Sequence, residues 1–364
     1  MGRRVTIKDV AREAGVSVTT VSQALNDPVG SRVAASTRDH VQAVAQRLGY
    51  RASPAARALR TSRTDTIALI GHDLVTTEFL GRMLRGAQDE VRGRGGLLIV
   101  ADTGEDEDAV VRTLIDHQVD GVILGAFYHQ ELRVPASLAG MPTVLVNAFT
   151  ADPAYSSVVP DEVAGGRLAT EVLLAAGHRR VAMLGNHDDI PAAHGRREGF
   201  LARCREAGDS VSARVVECAP RARAAREATR ALLTGPDGQV LTVGQGRPTG
   251  LFAFSDVMVL GVYAAAADLG LRVPTDLSVV GFDDMSLIDD SLAPPVTSVA
   301  LPHGEMAAWA VQQLYALLDA PAGERPEPSR QALVGRVVER ESVAPRPGSG
   351  LAAAHRPWSG QGAR

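Results

Sequence analysis

Short apolar runs alternate with amphipathic helical patterns from Thr66 onward. Eight of these runs are predicted to be strands, at 67–70, 97–100, 121–124, 143–146, 181–184, 214–217, 251–254 and 278–281. Helical patterns separate most of them, at 79–91, 162–176, 193–207, 256–269 and 305–318. Such alternation is typical of parallel sheets with helices on both faces. A pattern of this length fits two sheets that face a cleft better than one very wide sheet.

The first fifty residues carry a different pattern, that of three short helices. Thr6 and Asp9 have the layout of a capping box ahead of the first helix, and Gly15 suits the tight turn that ends it. Ser17 can cap the second helix, and the third spans roughly 36–48. Two short helices joined by a glycine-containing turn predict a helix-turn-helix motif.

Charge divides the chain at nearly the same place. Residues 1–63 contain eleven basic and four acidic side chains, which is a net charge of +7. The whole chain carries −4, so the remainder carries −11. A basic head on an acidic body is typical of a phosphate-binding module joined to a soluble core. A merely solvated basic face is the alternative.

Several classes of protein lack support in the sequence. No run of about 18 apolar residues occurs, which predicts no membrane span. The N-terminus has no apolar signal region, so a cytoplasmic location is expected. Cys204 and Cys218 have no partner at metal-ligand spacing, and 187–189 is interpreted as a solvated turn, so we predict no metal and no cofactor. Nucleophile-elbow, P-loop and zincin motifs are missing, which argues against an enzyme.

The string Val5–Ser22 closely resembles the opening of the LacI/GalR family of bacterial repressors. Further matches follow in the family's order, at 37–38, 48–50, 56–59, 177–180, 256–258 and 278–284. The resemblance implies an all-α helix-turn-helix head joined to an α/β core of two Rossmann-like subdomains, similar to periplasmic binding proteins. It also implies a transcriptional repressor that binds a pseudo-palindromic DNA operator as a homodimer or tetramer, under allosteric control by a small polar effector.

The patterns and the resemblance together divide the chain. The head is predicted over 1–52, a hinge helix and linker over 53–65, the core over 66–344, and a disordered tail over 345–364. The resemblance implies that the chain crosses between the two core subdomains three times. The predicted subdomains are therefore discontinuous, with 66–161 joined by 292–320 and 162–291 joined by 321–344.

Matching to the family assigns DNA contacts in the head. Base-reading positions are Val18, Thr19 and Gln23, and Gln chemistry suits bidentate contact with adenine where many family members carry Arg. Phosphate contacts are predicted for short polar side chains, namely Thr6, Ser17, Thr20, Ser22 and Asn26. In the hinge, the minor-groove set is Ala56, Arg57 and Leu59, with Leu59 as an apolar wedge. The alternatives are helix caps and, for Leu59, ordinary packing.

Matching also assigns an effector cleft. Asp161, Arg196 and Asp256 are the principal candidates, and their donor fork and carboxylates suit a polar ligand such as a sugar. Secondary candidates are His72, Asp73 and Phe79. An ion pair or helix cap is the alternative for each, most clearly for Asp256, which follows a strand. Sugar-binding relatives commonly have an aromatic residue where this chain has 218–220, so a nucleoside or a phosphorylated metabolite stays open.

A solute-binding protein without a DNA function is the second hypothesis for this chain. The predicted core fits that class. The additional basic head and the missing signal region argue against it.

Overall fold

The computed structural model describes residues 5–26, 33–50, 63–72, 80–321 and 323–346. The chain folds into two compact units, Met1–Thr66 and Ile67–Arg364. Within the described residues, no helix is both long enough and apolar enough to cross a membrane.

The N-terminal unit is built from three helices. They are α1 (Ile7–Ala14), α2 (Val18–Asn26) and α3 (Ala35–Arg47). The predicted capping box is confirmed, since the backbone N–H of Thr6 donates to Oδ2 of Asp9 at 3.0 Å. Gly15 ends α1 at φ +65°, a conformation that glycine adopts without strain. A small apolar core joins the three helices through buried side chains that include Val10, Val21, Val41 and Val44.

The C-terminal unit begins with a sheet that carries helices on both faces. Its elements in chain order are β1 (Thr66–Gly71), α4 (Leu80–Gly93), β2 (Leu97–Asp102), α5 (Glu107–Asp116), β3 (Gly121–Glu131), β4 (Thr143–Phe149) and β5 (Ser156–Pro160). A short 3₁₀ helix, Ala136–Leu138, lies between β3 and β4. The strands β1 and β4 are buried on both faces, as expected of a parallel sheet, whereas the edge strand β2 is only partly buried.

The second sheet follows along the chain. Its elements are α6 (Glu162–Ala175), β6 (Arg180–Asn186), α7 (Pro191–Glu206), β7 (Ser212–Cys218), α8 (Ala222–Leu233), β8 (Gly250–Ala253), α9 (Asp256–Asp268), β9 (Ser278–Asp283), α10 (Ser286–Asp289) and β10 (Thr297–Ala300). The last elements among the described residues are α11 (His303–Asp319), β11 (Arg330–Leu333) and β12 (Arg336–Val338). The strands β10 and β11 and the helix α11 decide which sheet each late part of the chain joins.

The first sheet has the strand order β11-β5-β4-β3-β1-β2, and the second has β12-β10-β9-β8-β6-β7. The strand β3 pairs parallel with β1 and β4, and β4 pairs parallel with β5. In the second sheet the pairings among β6 to β10 are parallel, and β12 joins β10 antiparallel. Two parallel sheets with flanking helices confirm the predicted fold class of the core. All eight predicted strands are present; seven lie within three residues of their predicted bounds, and β3 extends from its predicted end at 124 to Glu131.

The sheets divide the chain differently from the predicted subdomain bounds. The strand β10 was assigned to the first subdomain by the boundary at residue 292, yet it pairs with β9 and β12 in the second sheet. The strand β11 was assigned to the second subdomain, yet it pairs with β5 in the first. The helix α11 packs on the first sheet, as its predicted bounds required. Pairing across large sequence separations decides this division, and local patterns carry no signal of it.

Candidate functional sites

The second head helix, α2, has one buried side and one exposed side. At 3.6 residues per turn, Val18, Thr19 and Gln23 lie within less than half of the helix circumference. All three are exposed, and Val18 keeps 40% of its surface accessible. Val21 and Ala24 lie on the opposite side and are buried in the head core. The predicted base-reading residues therefore share one free face.

The predicted phosphate-contacting residues surround that face. Ser17 begins α2, where its Oγ accepts from the backbone N–H of Thr20 at 3.0 Å and lies 2.8 Å from Thr20 Oγ1. Ser22 is half-buried. Thr6 lies before α1, and its Oγ1 donates to Asp9 Oδ2 at 2.7 Å. These bonds are the helix-capping alternative to a DNA contact. A phosphate oxygen only accepts hydrogen bonds, so a hydroxyl contacts it by donating its one proton. Thr6 already donates to Asp9 and must exchange that bond to contact a phosphate, whereas one of Ser17 and Thr20 keeps its proton for such a contact.

Six of the predicted positions lie wholly or partly outside the described residues. For Asn26 the backbone ends α2, but its side chain is not among the described atoms. The residues that lie wholly outside the described part of the chain are Ala56, Arg57, Leu59, Asp73 and Phe79. Their predicted roles stay predictions.

In the core, Arg196 is the centre of a buried charged cluster. It lies on α7 with 4% of its surface exposed. Its Nε donates to Glu162 Oε2 at 2.8 Å, and its Nη1 donates to the Phe254 carbonyl at 2.6 Å. Nη1 also lies 3.4 Å from Asp283 Oδ1. Burial opposes the charged form, but the two carboxylates raise the pKa of Arg196, so the guanidinium stays charged.

Aromatic rings enclose the same guanidinium. The Arg196 carbon Cζ lies 3.7 Å from the ring centroid of Phe282 and 4.4 Å from that of Phe254. Both rings are buried. Cation–π contact at these distances stabilises a desolvated arginine. Because the protein itself covers both rings with Arg196, neither ring is an open stacking platform for a ligand.

Close helix packing brings Glu162 and Arg196 together. Glu162 begins α6, and Arg196 lies in α7. A Cβ added at Gly195 would lie 2.5 Å from the Glu162 Cβ, and one at Gly166 would lie 2.3 Å from the Arg196 carbonyl oxygen. These two glycines therefore allow the two helix backbones to approach closely enough for the ion pair.

The carboxyl ends of the first sheet's strands contribute polar and aromatic groups. His129 at the end of β3 has its Nδ1 4.0 Å from Glu162 Oε1, and its ring contacts Phe149 edge-on at 5.6 Å. Burial lowers the His129 pKa, although Glu162 acts in the other direction. Tyr128 is about half exposed. Ligands in parallel α/β folds bind beyond the carboxyl ends of strands, which is the location of these groups.

The other predicted effector residues take different positions. Asp161 caps α6, where its Oδ1 accepts from the Ala164 N–H at 2.9 Å. Asp256 is completely buried, and its carboxylate accepts from Ser298 Oγ and from the Met285 N–H, both at 2.9 Å. Burial raises the Asp256 pKa to about 6. The cap uses only Oδ1 of the half-buried Asp161, so its carboxylate keeps acceptor capacity, whereas Asp256 is enclosed within the second subdomain and must be uncovered before it can contact an effector.

His72 is the secondary candidate that the structure describes. It is exposed at the end of β1, and its Nδ1 donates to the Gly104 carbonyl at 2.9 Å. The described residues include no group of three or more His, Cys, Asp or Glu side chains placed to hold a metal ion.

Sequence reasoning missed Glu162, Asp283 and His129 as members of the charged cluster. Asp283 belongs to the segment 278–284 that matches the family, but that match did not identify it as a contact of Arg196 or of an effector. Glu162 was visible only as the first residue of a predicted helix. Their contacts with Arg196 and with each other depend on how α6, α7 and β9 pack.

An ion pair also joins the two subdomains beside this cluster. Arg82 on α4 donates from Nη2 to Asp284 Oδ2 at 2.9 Å and also to the Asp284 carbonyl. Arg340 donates to the other carboxylate oxygen of Asp284 at 2.8 Å. Asp283 and Asp284 both have positive φ, at 102° and 53°, which is uncommon for residues other than glycine. Asp284, which follows Asp283 of the cluster, therefore accepts hydrogen bonds from side chains of both subdomains.

Comparison with known proteins covers nearly the whole chain. Residues 6–53 match the bacterial regulatory proteins of the lacI family, and residues 170–343 match the periplasmic binding protein-like domain. The chain is 31% identical over 307 residues to the HTH-type transcriptional repressor PurR of Vibrio vulnificus, with 82% of this chain and 87% of that repressor covered.

Solved structures agree with this assignment. A complex of the transcriptional regulator CelR with cellobiose is 30% identical with a TM-score of 0.61, and covers 93% of this chain and 100% of its own. The Lac repressor dimer bound to operator and the anti-inducer ONPF has a TM-score of 0.67 at 24% identity, covering 94% and 100%. The second likeness concerns the fold alone. From these matches, the chain belongs to the LacI family of bacterial regulatory proteins and is a helix-turn-helix transcriptional regulator.

Proposed function

We propose that this regulator is a repressor that binds a pseudo-palindromic operator as a homodimer, with α2 of each head in the major groove. The observation that supports it is the single exposed face of α2, where Val18, Thr19 and Gln23 stand clear of the head core. An amide and a hydroxyl read base edges, and valine contacts a thymine methyl group. The Lac repressor, which shares the fold, is a dimer on its operator.

DNA binding by the full chain is tested with a promoter fragment from its own locus. We expect specific binding that weakens steeply with salt, because a basic head releases counterions from the DNA it contacts. A loss of roughly a thousandfold in affinity between 50 and 200 mM salt is expected if each dimer makes about six or more phosphate contacts. Deletion of residues 1–60 should abolish binding. Equal binding by the truncated chain would exclude this function and favour the solute-binding alternative.

The effector, in this proposal, binds between the subdomains beside Arg196. The polar groups of Glu162, His129 and Asp283 support this position, because both subdomains contribute to them. CelR, a relative at 30% identity, was solved with cellobiose, an uncharged sugar. Binding there changes how the subdomains pack and so changes DNA affinity, a coupling typically worth about 1–3 kcal/mol.

The ion pair between Arg82 and Asp284 is proposed to hold the subdomains in the described arrangement. Arg82→Ala should release this contact, and the backbone amides of 80–93 and 283–290 should then exchange with solvent faster. Since Arg82 is 37% exposed, the contact is worth only about 1 kcal/mol, which corresponds to roughly fivefold faster exchange. Hydrogen–deuterium exchange with mass spectrometry measures it.

Arg85→Ala is the matched control. Arg85 lies on the same helix as Arg82, is exposed, and lines one surface groove together with Arg82 and Asp284. Exchange in Arg85→Ala should stay at the wild-type rate. If both variants exchange alike, the Arg82 contact does not hold the subdomains together.

A further inference from the structure

The charge of the cluster around Arg196 sets limits on what it can bind. Arg196 is a cation, and a buried arginine in a ligand cleft ordinarily suits an anion, since its donor fork matches phosphate and carboxylate. Here the protein has already supplied the anion. Glu162 Oε2 accepts a hydrogen bond from Arg196 Nε at 2.8 Å, and both side chains are about 5% exposed or less. The strongest position for a ligand anion is therefore occupied by a protein carboxylate.

Asp283 adds to the same effect. Its Oδ1 lies 3.4 Å from Arg196 Nη1. Burial raises the pKa of Asp283 well above its ordinary value, although Arg196 opposes that shift. With Asp283 protonated, the group formed by Arg196, Glu162 and Asp283 is neutral, and with Asp283 ionised it is negative. Neither state offers a net positive charge to a ligand.

Neighbouring groups do not reverse this balance. Burial lowers the pKa of His129, the imidazole nearest Glu162, which favours its neutral form. Tyr128 is within electrostatic reach of Asp188 and Asp283 on one side and of the exposed Arg221 on the other. Burial raises the Tyr128 pKa, and the two carboxylates raise it further, against the smaller opposing effect of Arg221. At Tyr128 the acidic groups therefore outweigh the arginine.

We propose that Glu162 makes this cleft select an effector without negative charge, one that donates hydrogen bonds to carboxylates. An unphosphorylated sugar or another neutral, hydroxyl-rich molecule fits, whereas its phosphate ester is excluded. A phosphate placed beside Glu162 would bury a second negative charge next to the first, and no free cation of the cluster compensates it. Hydroxyl groups instead donate to carboxylate oxygens. This inference rests on the proposed role of the cleft as the effector site.

Glu162→Gln in the full chain tests it, with Glu171→Gln as the matched control. Glu171 lies on the same helix, and its ion pair with Arg203 is at the surface. Inorganic phosphate is the first probe, with calorimetric titration as the measurement. Glu162→Gln keeps the side-chain shape and removes one negative charge, so the group changes from neutral to +1 with Asp283 protonated and from −1 to neutral with Asp283 ionised. In either state the repulsion of an anion by Glu162 is gone and Arg196 Nε has lost its charged partner, so the variant should bind phosphate at least tenfold more tightly than wild type. Glu171→Gln should match wild type.

Matched neutral and phosphorylated molecules form the second arm. Glucose with glucose 6-phosphate, ribose with ribose 5-phosphate, and adenosine with AMP are compared by the shift in Tm of wild type, since specific ligands stabilise the folded state. No phosphate ester should stabilise wild type more than its neutral parent. A phosphate ester that binds wild type tenfold more tightly than its parent overturns the proposal, whether or not Glu162→Gln folds.

A second result also overturns it, namely unchanged phosphate affinity in a folded Glu162→Gln variant. Failure of the proposed function is distinguishable, because DNA binding is measured separately with the promoter fragment. A chain that does not bind DNA but gains phosphate affinity on Glu162→Gln would refute the regulatory proposal and keep the selectivity of the cleft.

Discussion

Arg196→Ala should destabilise the core by about 3–5 kcal/mol, because it strands buried carboxylates without their cation. Glu162 is 5% and Asp283 is 6% exposed, so neither can recover its hydration by turning to solvent. The variant also removes the donor to the Phe254 carbonyl and the cation between two buried rings. Urea unfolding of the full chain, followed by circular dichroism at pH 7, measures the loss.

Arg197→Ala is the control, one residue further along the same helix. Arg197 pairs with Glu217 at 2.7 Å, but both side chains are more than 40% exposed. Exposed pairs contribute about 0–1 kcal/mol, so this variant should unfold close to wild type. Adding Glu162→Ala to Arg196→Ala should recover part of the loss, because the stranded carboxylate is then gone. An Arg196→Ala variant as stable as Arg197→Ala would show that the cluster is not a buried ion pair.

Gln23→Ala should weaken specific DNA binding roughly ten- to a hundredfold while leaving the fold intact. A good bidentate contact with a base is worth about 1–3 kcal/mol, and each 1.4 kcal/mol is about tenfold in affinity. The Gln23 side chain is exposed and outside the head core, so the free energy of unfolding should change by no more than about 0.5 kcal/mol. Fluorescence anisotropy at one fixed salt concentration measures the affinity for the promoter fragment.

The control for this prediction is Gln42→Ala, an exposed glutamine on α3 of the same head. It should bind the promoter fragment like wild type. Unrelated DNA of the same length should bind wild type and Gln23→Ala equally, because phosphate contacts carry no sequence information. Equal losses on both DNAs would mean that Gln23 contacts the backbone and does not read a base.

Most of the fold followed from local patterns. The eight predicted strands and the three head helices are periodic over enough residues to be recognised one at a time. The strand β5 was not predicted, since it contains the buried polar residues Ser156 and Ser157 and lacks a clear apolar run. The strands β10, β11 and β12 have only three or four residues each. Unlike the equally short β8, which lies in an apolar run, β11 and β12 contain exposed polar residues, so their structure depends on pairing with the neighbouring strand.

The candidate site was less accessible to prediction. Family matching predicts Arg196 as an effector contact, which stays a prediction, and it could not indicate that carboxylates of the protein would accept hydrogen bonds from its donors. The partners Glu162 and Asp283 stand 34 and 87 residues away along the chain. Asp256 was proposed as a ligand contact, and its complete burial with Ser298 depends on how α9 packs beside β10.

The sequence by itself determined the helix-turn-helix head, the exposed side of its second helix and the two-sheet plan of the core, because each depends on periodicity and caps within a few turns of chain. Tertiary structure decided where the subdomains divide and which charged groups are buried together around Arg196. Both depend on contacts between distant segments. The charge of a buried arginine is set by its partners, and those partners are brought together only by packing.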